Sequence, residues 1–195
     1  MDNPVVIALH YQNDILHPEG KIRVGLASDD SGRTKLLDAA LQLLTGARQN
    51  GWPVVHVRVA YRPDYADLIQ NAPILRNVAA SGAVREGEWG AEFYESLAPL
   101  STEFVVTHNR INAFYGSPLE TVVRQLDARH LLIAGVATHS VVESTVRHAV
   151  DCGFEVSVAA DACTSADAAA HQAALSSMSL IARITTVELA LEGRP

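Results

Sequence analysis

The stretch Gly135–Thr145, GVATHSVVEST, decides the fold of this 195-residue chain. It completes the run His130–Val136, HLLIAGV, which is apolar enough for a strand buried on both faces of a sheet. Ser140 and Glu143 follow with the spacing of a capping box, which satisfies the free N–H groups at the start of a helix. We therefore predict a buried strand that turns into a helix. Ser140 would be the N-cap, and backbone N–H groups near Val141 could meet an anion.

Apolar runs with the length of strands lie on both sides of this stretch, with longer helical patterns between them. Further strands are predicted at Pro4–Leu9, Pro53–Ala60, Phe104–Thr107, Glu155–Ala160 and Ile184–Thr186. Helices are predicted over Thr34–Asn50, from Ser117 onward and over Ala166–Met178. In the first of these helices, Leu37, Leu41 and Leu44 would form the buried face. The alternation indicates a Rossmann-like α/β fold. One domain, residues 1–195, would form a doubly wound, mostly parallel six-stranded sheet with helices on both faces.

The segment Tyr61–Gly90 differs from the rest of the chain because it has little periodicity and several glycine and proline residues. This composition predicts a long loop with at most a turn of helix. Loops of that length within one domain are usually functional and often act as lids.

The composition excludes several classes of protein. The net charge is −7 and no basic run is present, which argues against a nucleic-acid partner. No apolar stretch approaches the roughly 18 residues that span a membrane, so no membrane partner is expected. The first residues lack the charged region and cleavage site of a signal peptide. Cys152 and Cys163 have neither metal nor redox spacing, so we expect buried thiols in a reducing cytoplasm.

Three histidines follow predicted strands directly: His10, His108 and His139. The carboxyl ends of parallel strands meet at one edge of a sheet, where ligands bind in this class of fold. Histidine titrates near a pKa of about 6.5, so one imidazole can act as an acid while another acts as a base. The sequence therefore predicts a cluster of imidazoles in a small-molecule site.

Three motifs together resemble the isochorismatase-like (cysteine hydrolase) superfamily. They are IALHYQNDI near the first strand, HNRINAFYGSPLE after the third and GVATHSVVEST after the fourth, and the resemblance extends from Pro4 to about Leu191. The positions that resemble the family's Asp–Lys–Cys triad hold His10, His108 and Val141. The resemblance implies a substrate site that includes Gln12, Trp89, Arg110, Phe114, Ala137, Thr138 and Val141. It also implies a homo-oligomer and no cofactor.

Valine at the nucleophile position excludes attack by a thiolate there, because an isopropyl group is not a nucleophile. We expect His10, His108 and His139 to perform non-covalent acid–base chemistry on a small carbonyl- or carboxylate-bearing molecule. Hydrolysis, isomerisation and elimination all fit this expectation, as does a bell-shaped or sigmoidal pH–rate profile near neutrality.

Two alternatives remain open from the sequence. A catalytically inactive family member would serve as a small-molecule binder or scaffold, with Val141, Phe114 and Trp89 in an apolar pocket rimmed by imidazoles. Three imidazoles from different strands could also form an open zinc site. No spacing motif in the sequence supports that site, and no metal is predicted.

Overall fold

A six-stranded sheet forms the centre of the computed structural model, which describes residues 4–22 and 31–193. The strands are β1 (Val5–Leu9), β2 (Val54–Val59), β3 (Phe104–His108), β4 (His130–Val136), β5 (Glu155–Thr164) and β6 (Arg183–Thr185). All neighbours are parallel, in the order β3–β2–β1–β4–β5–β6. The predicted α/β fold is confirmed. The structure corrects β5, which is longer than its apolar run because it continues through Asp161 to Thr164.

The helices are α1 (Asn13–Leu16), α2 (Ser31–Gln49), α3 (Pro73–Ser81), α4 (Leu119–Gln125), α5 (Glu143–Asp151), α6 (Ala168–Met178) and α7 (Val187–Leu191). α2 packs on α7, and α5 packs on α6. From β1 the chain crosses through α2 to β2, and from β4 it crosses through α5 to β5 in the opposite direction along the sheet. Right-handed crossovers in opposite directions place these two helices on opposite faces of the sheet. No helix among the described residues is long and apolar enough to cross a bilayer.

The buried face of α2 is not the one that we predicted. Leu36, Ala40 and Leu43 lie in the core together with Leu44. Leu37 is only partly buried, and Leu41 remains 41% exposed. Leucines at 36, 37, 41, 43 and 44 define two adjacent stripes of the helix, and both have helical spacing. Contact with the sheet selects one of them, which periodicity alone could not do.

The segment Tyr61–Gly90 contains a true helix, α3, where we predicted a loop with at most one turn. Pro73 begins this helix, and Gly82 ends it in the left-handed conformation, with a φ of 65°. Proline at the first turn and glycine after the last are typical helix boundaries. The helix is only nine residues long and buries two side chains, Leu75 and Val78, so its periodic signal was weak. The structure therefore corrects this prediction.

The turn after β4 also differs from the prediction. A wide π-type turn over Thr138–Val142 begins directly after Ala137 and continues into α5. The Ser140 N–H donates to the Ala137 carbonyl, so Ser140 lies inside the helical turn and is not its N-cap. Ser117 does act as a cap, since its hydroxyl accepts the N–H of Leu119 at 3.1 Å. At Ser140 and Glu143 the capping-box pattern placed the N-cap at the wrong residue.

The order of the strands creates a switch point between β1 and β4. The chain builds β2 and β3 on one side of β1 and then returns to place β4 on its other side. Leu9 and Gly135 are paired at the carboxyl ends of β1 and β4. Loops that leave the sheet in opposite directions from such a point leave a crevice between them. His10 follows β1 there, and Ala137–Val141 follow β4.

Candidate active site

A cavity of about 190 Å³ lies at this switch point. Its floor comes from the ends of the central strands, through His10 and Val136, and from the first helical turn after β4, through Val141. Leu75 and Val78 of α3 line it as well. Most of the lining side chains are aliphatic, so the cavity suits an apolar molecule with a few polar groups. The segment predicted as a lid therefore does contribute to the site.

His10 and His108 form a buried pair at the edge of the cavity. Their Nε2 atoms lie 2.5 Å apart, and their rings are stacked with 4.8 Å between centroids. A hydrogen bond between the two nitrogens requires one imidazole to donate and the other to accept. His10 reaches the cavity wall, whereas His108 lies behind it. The sequence prediction that these histidines meet is thus matched by the structure.

The backbone holds His10 in an unusual conformation. Its φ is 59°, in the left-handed region that a residue with a side chain seldom adopts. The main-chain N–H of His10 donates to the Val57 carbonyl, which fixes the residue between β1 and β2. Strained residues of this kind are concentrated at functional sites, where the surrounding structure maintains them. The conformation at His10 supports a role beyond packing.

Burial makes both imidazoles of the pair weak bases. It lowers the pKa of His10 well below its ordinary value of 6.5, and the neighbouring His108 lowers it further, while the Val136 backbone opposes the shift. Burial also lowers the pKa of His108 to about 4, against a smaller opposing effect from the Asn112 backbone. Nδ1 of His108 nevertheless forms no hydrogen bond of ordinary geometry. Both imidazoles are therefore neutral at neutral pH.

His139 and Val141 occupy the β4 side of the cavity together with Ala137. His139 is exposed at this wall, and its Nδ1 lies 2.8 Å from the Ser165 hydroxyl. Val141 is only 2% exposed and presents an apolar side chain to the cavity. A sulfur atom does not take its place, because Cys163 is buried away from the cavity lining and burial raises its pKa to about 12.

Four predicted site residues lie elsewhere. Trp89 packs its ring edge-on against His17 in a separate groove. Phe114 stacks on His148 in the core, and the hydroxyl of Thr138 pairs with Nδ1 of His171. The Gln12 amide donates to the Val59 and Ala91 carbonyls and accepts the Val59 N–H. These side chains are paired internally and are not among those that line the cavity, so their role in binding a substrate stays a prediction.

The sequence prediction also missed side chains that do line the cavity. Tyr61, Ile74, Leu75 and Val78 all come from the segment that was predicted as a loop. Ile15 comes from the short helix α1, which was not predicted. The Pro73 and Gly82 boundary signals were the only local clue to the helix that presents three of these residues.

The geometry of the histidines does not resemble a metal site. Two nitrogens on one zinc ion, each about 2.0 Å from the metal, lie more than 3 Å apart in tetrahedral geometry. The Nε2 atoms of His10 and His108 are closer than that and form a hydrogen bond instead. Within residues 4–22 and 31–193, a group of potential ligand side chains occurs at Glu120, His148 and Cys152, remote from the cavity lining.

Comparison with known proteins identifies the family. The Isochorismatase domain model matches residues 4–188. The isochorismatase family protein YecD of Escherichia coli O157:H7 is 29% identical over 155 residues, which cover 79% of this chain and 80% of YecD. The ureidoacrylate amidohydrolase RutB of Caulobacter segnis is 27% identical over 73% of this chain and 64% of its own length. An isochorismatase family protein from Desulfovibrio vulgaris has the same fold, with a TM-score of 0.86, 24% identity and 98% of both chains covered. The chain therefore belongs to the isochorismatase family.

Proposed function

We propose that this member of the family hydrolyses a small carbonyl- or carboxylate-bearing molecule by histidine acid–base chemistry, without a cysteine nucleophile. The observation that carries the proposal is the buried His10–His108 contact of 2.5 Å, with His10 at the cavity wall. The proposal is also supported by the positions of His10, His108 and Val141, which resemble those of the family's Asp–Lys–Cys triad. The relatives with named activities, such as the amidohydrolase RutB, support a carbonyl-type substrate.

The pair can move a proton without forming a covalent intermediate. His10 is the partner that reaches the cavity, so it takes a proton from water as the water oxygen bonds to the substrate carbonyl carbon. In this relay the proton between the two Nε2 atoms starts on His10 and passes to His108 in the same step, while Nδ1 of His10 accepts the proton from water. A protonated imidazole with a lowered pKa is a strong acid, so it returns the proton readily to the leaving group. His139 lies at the opposite wall, where its imidazole can hydrogen-bond the substrate. In the net reaction, one water molecule hydrolyses one bond of the substrate.

The proposal is tested by a screen of esters, amides, enol ethers and lactones, followed by His10→Gln and His108→Gln. General acid–base catalysis contributes about 100-fold or more, so each variant should lose at least that factor in kcat. His130→Gln is the matched control, because His130 pairs with Ser157 at the opposite end of β4. Absence of turnover across the screen, or full activity in both variants, would contradict the proposal.

The second candidate is a non-catalytic small-molecule binder. It is favoured by the apolar cavity wall at Val141 and by the internal pairing of the two histidines. A ligand that raises the thermal midpoint and is never converted would support this candidate. A reaction that disappears in His10→Gln would exclude it.

We further propose that the protein is a homo-oligomer in the cytoplasm. Several large apolar side chains remain exposed on the single chain, including Ile69, Tyr115 and Leu180. Cys152 and Cys163 are both free thiols, as a reducing compartment favours. Light scattering of the purified protein should give a mass above the 20.9 kDa of one chain, and a monomer would contradict the oligomer.

A further inference from the structure

Arg110 places a positive charge beside an otherwise apolar cavity. It lies just after β3 and is one of the side chains that line the cavity. Its Nη1 atom is buried and has no hydrogen-bond partner. Its Nη2 atom has one long contact of 3.5 Å, to the side-chain oxygen of Asn71. Within the described ranges of the chain, no carboxylate forms an ion pair with this guanidinium. The protein therefore leaves part of the guanidinium fork unsatisfied.

The neighbouring titratable groups do not supply the missing anion. Burial raises the pKa of Tyr61 to about 12, against the opposing influence of Arg110, so the phenol stays neutral. Asp67 also acts on Tyr61, but its carboxylate accepts the main-chain N–H of Arg62 and, among the described residues, forms no ion pair with Arg110. His10 and His139 also line the cavity, and an imidazole cannot supply an anion. A guanidinium is a cation with donors only, and leaving its buried Nη1 atom without an acceptor is costly.

We propose that Arg110 binds the carboxylate of a small monocarboxylate whose apolar body fills the cavity. A guanidinium fork matches a carboxylate in shape as well as in charge. The aliphatic lining from Leu75, Val78 and Val141 suits a hydrocarbon or aromatic body. At about 190 Å³ the cavity is smaller than sites for drug-sized ligands, which indicates a body of about six to nine carbon atoms. The claim that such a carboxylate is a substrate rests on the proposed function, whereas the claim that it binds at Arg110 does not.

Phenylacetate and phenylacetamide form a suitable pair of probes, because they have the same size and differ in charge. Binding is measured by isothermal titration calorimetry with the full-length protein. The wild type should bind phenylacetate at least about tenfold more tightly than phenylacetamide, which corresponds to about 1.4 kcal/mol. Arg110→Gln should abolish this preference, and Arg110→Lys should retain part of it.

Arg76→Gln is the matched control, since it removes the same charge from α3 close to the cavity. The Arg76 side chain bonds outward to the Gln70 carbonyl and does not line the cavity. The control should keep the preference for phenylacetate. Equal affinity of the wild type for the two probes, no binding of either probe, or a preference that survives Arg110→Gln would each overturn the inference.

Two further measurements separate this inference from the proposed chemistry. His10→Gln should still prefer phenylacetate, because the inferred carboxylate contact belongs to Arg110. If that preference is present and no substrate is turned over, the carboxylate site stands and the histidine mechanism fails. If turnover depends on His10 while Arg110→Gln leaves the preference unchanged, the mechanism stands and the carboxylate site fails.

Discussion

The buried contact between His10 and His108 determines how activity should depend on pH. Burial lowers the pKa of both imidazoles, that of His108 to about 4. We therefore expect kcat/KM to change little between about pH 6.5 and about pH 8 and to fall only in more acidic solution. Histidines with their ordinary pKa would give an inflection of the pH–rate profile near neutrality, and burial moves that inflection to lower pH. A pH–rate profile checks this expectation, and an inflection close to pH 6.5 would contradict it.

For individual residues, the sequence predicted which side chains lie at the end of the sheet better than it predicted the contacts that those side chains make. His10, His139 and Val141 follow strands and do line the cavity. Position after a strand fixes the edge at which a side chain lies, which is why these three side chains reach the cavity. The direction of a side chain depends on its partners in the folded chain. Phe114 and Trp89 found aromatic partners elsewhere, and nothing in the local sequence indicated those partners.

Among the strands and their turns, the close approach of β1 and β4 requires glycine at position 135. Gly135 has a φ of 147°, and a Cβ atom there would collide with the Leu9 carbonyl on the paired strand. We expect Gly135→Ala to lower the free energy of unfolding by about 2–4 kcal/mol. Urea denaturation measures this change. Gly153→Ala is the control, because that glycine also has a positive φ but nothing within 4 Å of an added Cβ. Equal losses would show that the contact with Leu9 is unimportant.

The helical turn after β4 can be tested through its orientation. Val141 faces the cavity, whereas the adjacent Val142 is buried in the core outside the cavity lining. In native protein, Val141→Cys should react with a small thiol reagent, and Val142→Cys should not. Mass spectrometry after peptide digestion distinguishes either site from the native thiols Cys152 and Cys163. Cys163 should stay unmodified because it does not line the cavity and burial raises its pKa to about 12. Equal modification of the two variants would exclude this orientation of the turn.

For the molecule as a whole, topology was more predictable than surface packing. Six short apolar runs with helical patterns between them indicate the parallel sheet, whose central strands β1 and β4 are buried on both faces. Short helices such as α1, α3 and α7 depend on contacts with that sheet and carry little periodic signal of their own. Helices α1 and α3 contribute side chains to the cavity at the switch point, and α7 packs on α2 and β5. The outline of the site was therefore predictable, while most of its apolar wall was not.

The stability of the whole molecule should depend on its neutral histidines. Burial lowers the pKa of His10, His56, His108, His130 and His171 in the folded chain. The unfolded chain takes up these protons near pH 6.5, and the folded chain takes them up only at lower pH. The free energy of unfolding is therefore highest above about pH 6.5 and decreases as the pH falls toward about 4. Because the pKa of His108 falls from 6.5 to about 4 on folding, protonation of this residue alone lowers the free energy of unfolding by about 3 kcal/mol.

Urea denaturation at about pH 7.5, pH 6 and pH 5 tests this expectation, with the free energy of unfolding compared across the series. Most side-chain carboxyl groups titrate below this window, so the decrease reports mainly on histidines. His108→Gln should flatten the pH dependence, because it removes one titrating group and lets the Nε2 of His10 keep a polar neighbour. A free energy of unfolding that stays constant from pH 7.5 to pH 5 would mean that the buried pair takes up protons without unfolding, and the neutral state assigned to the site would then be wrong.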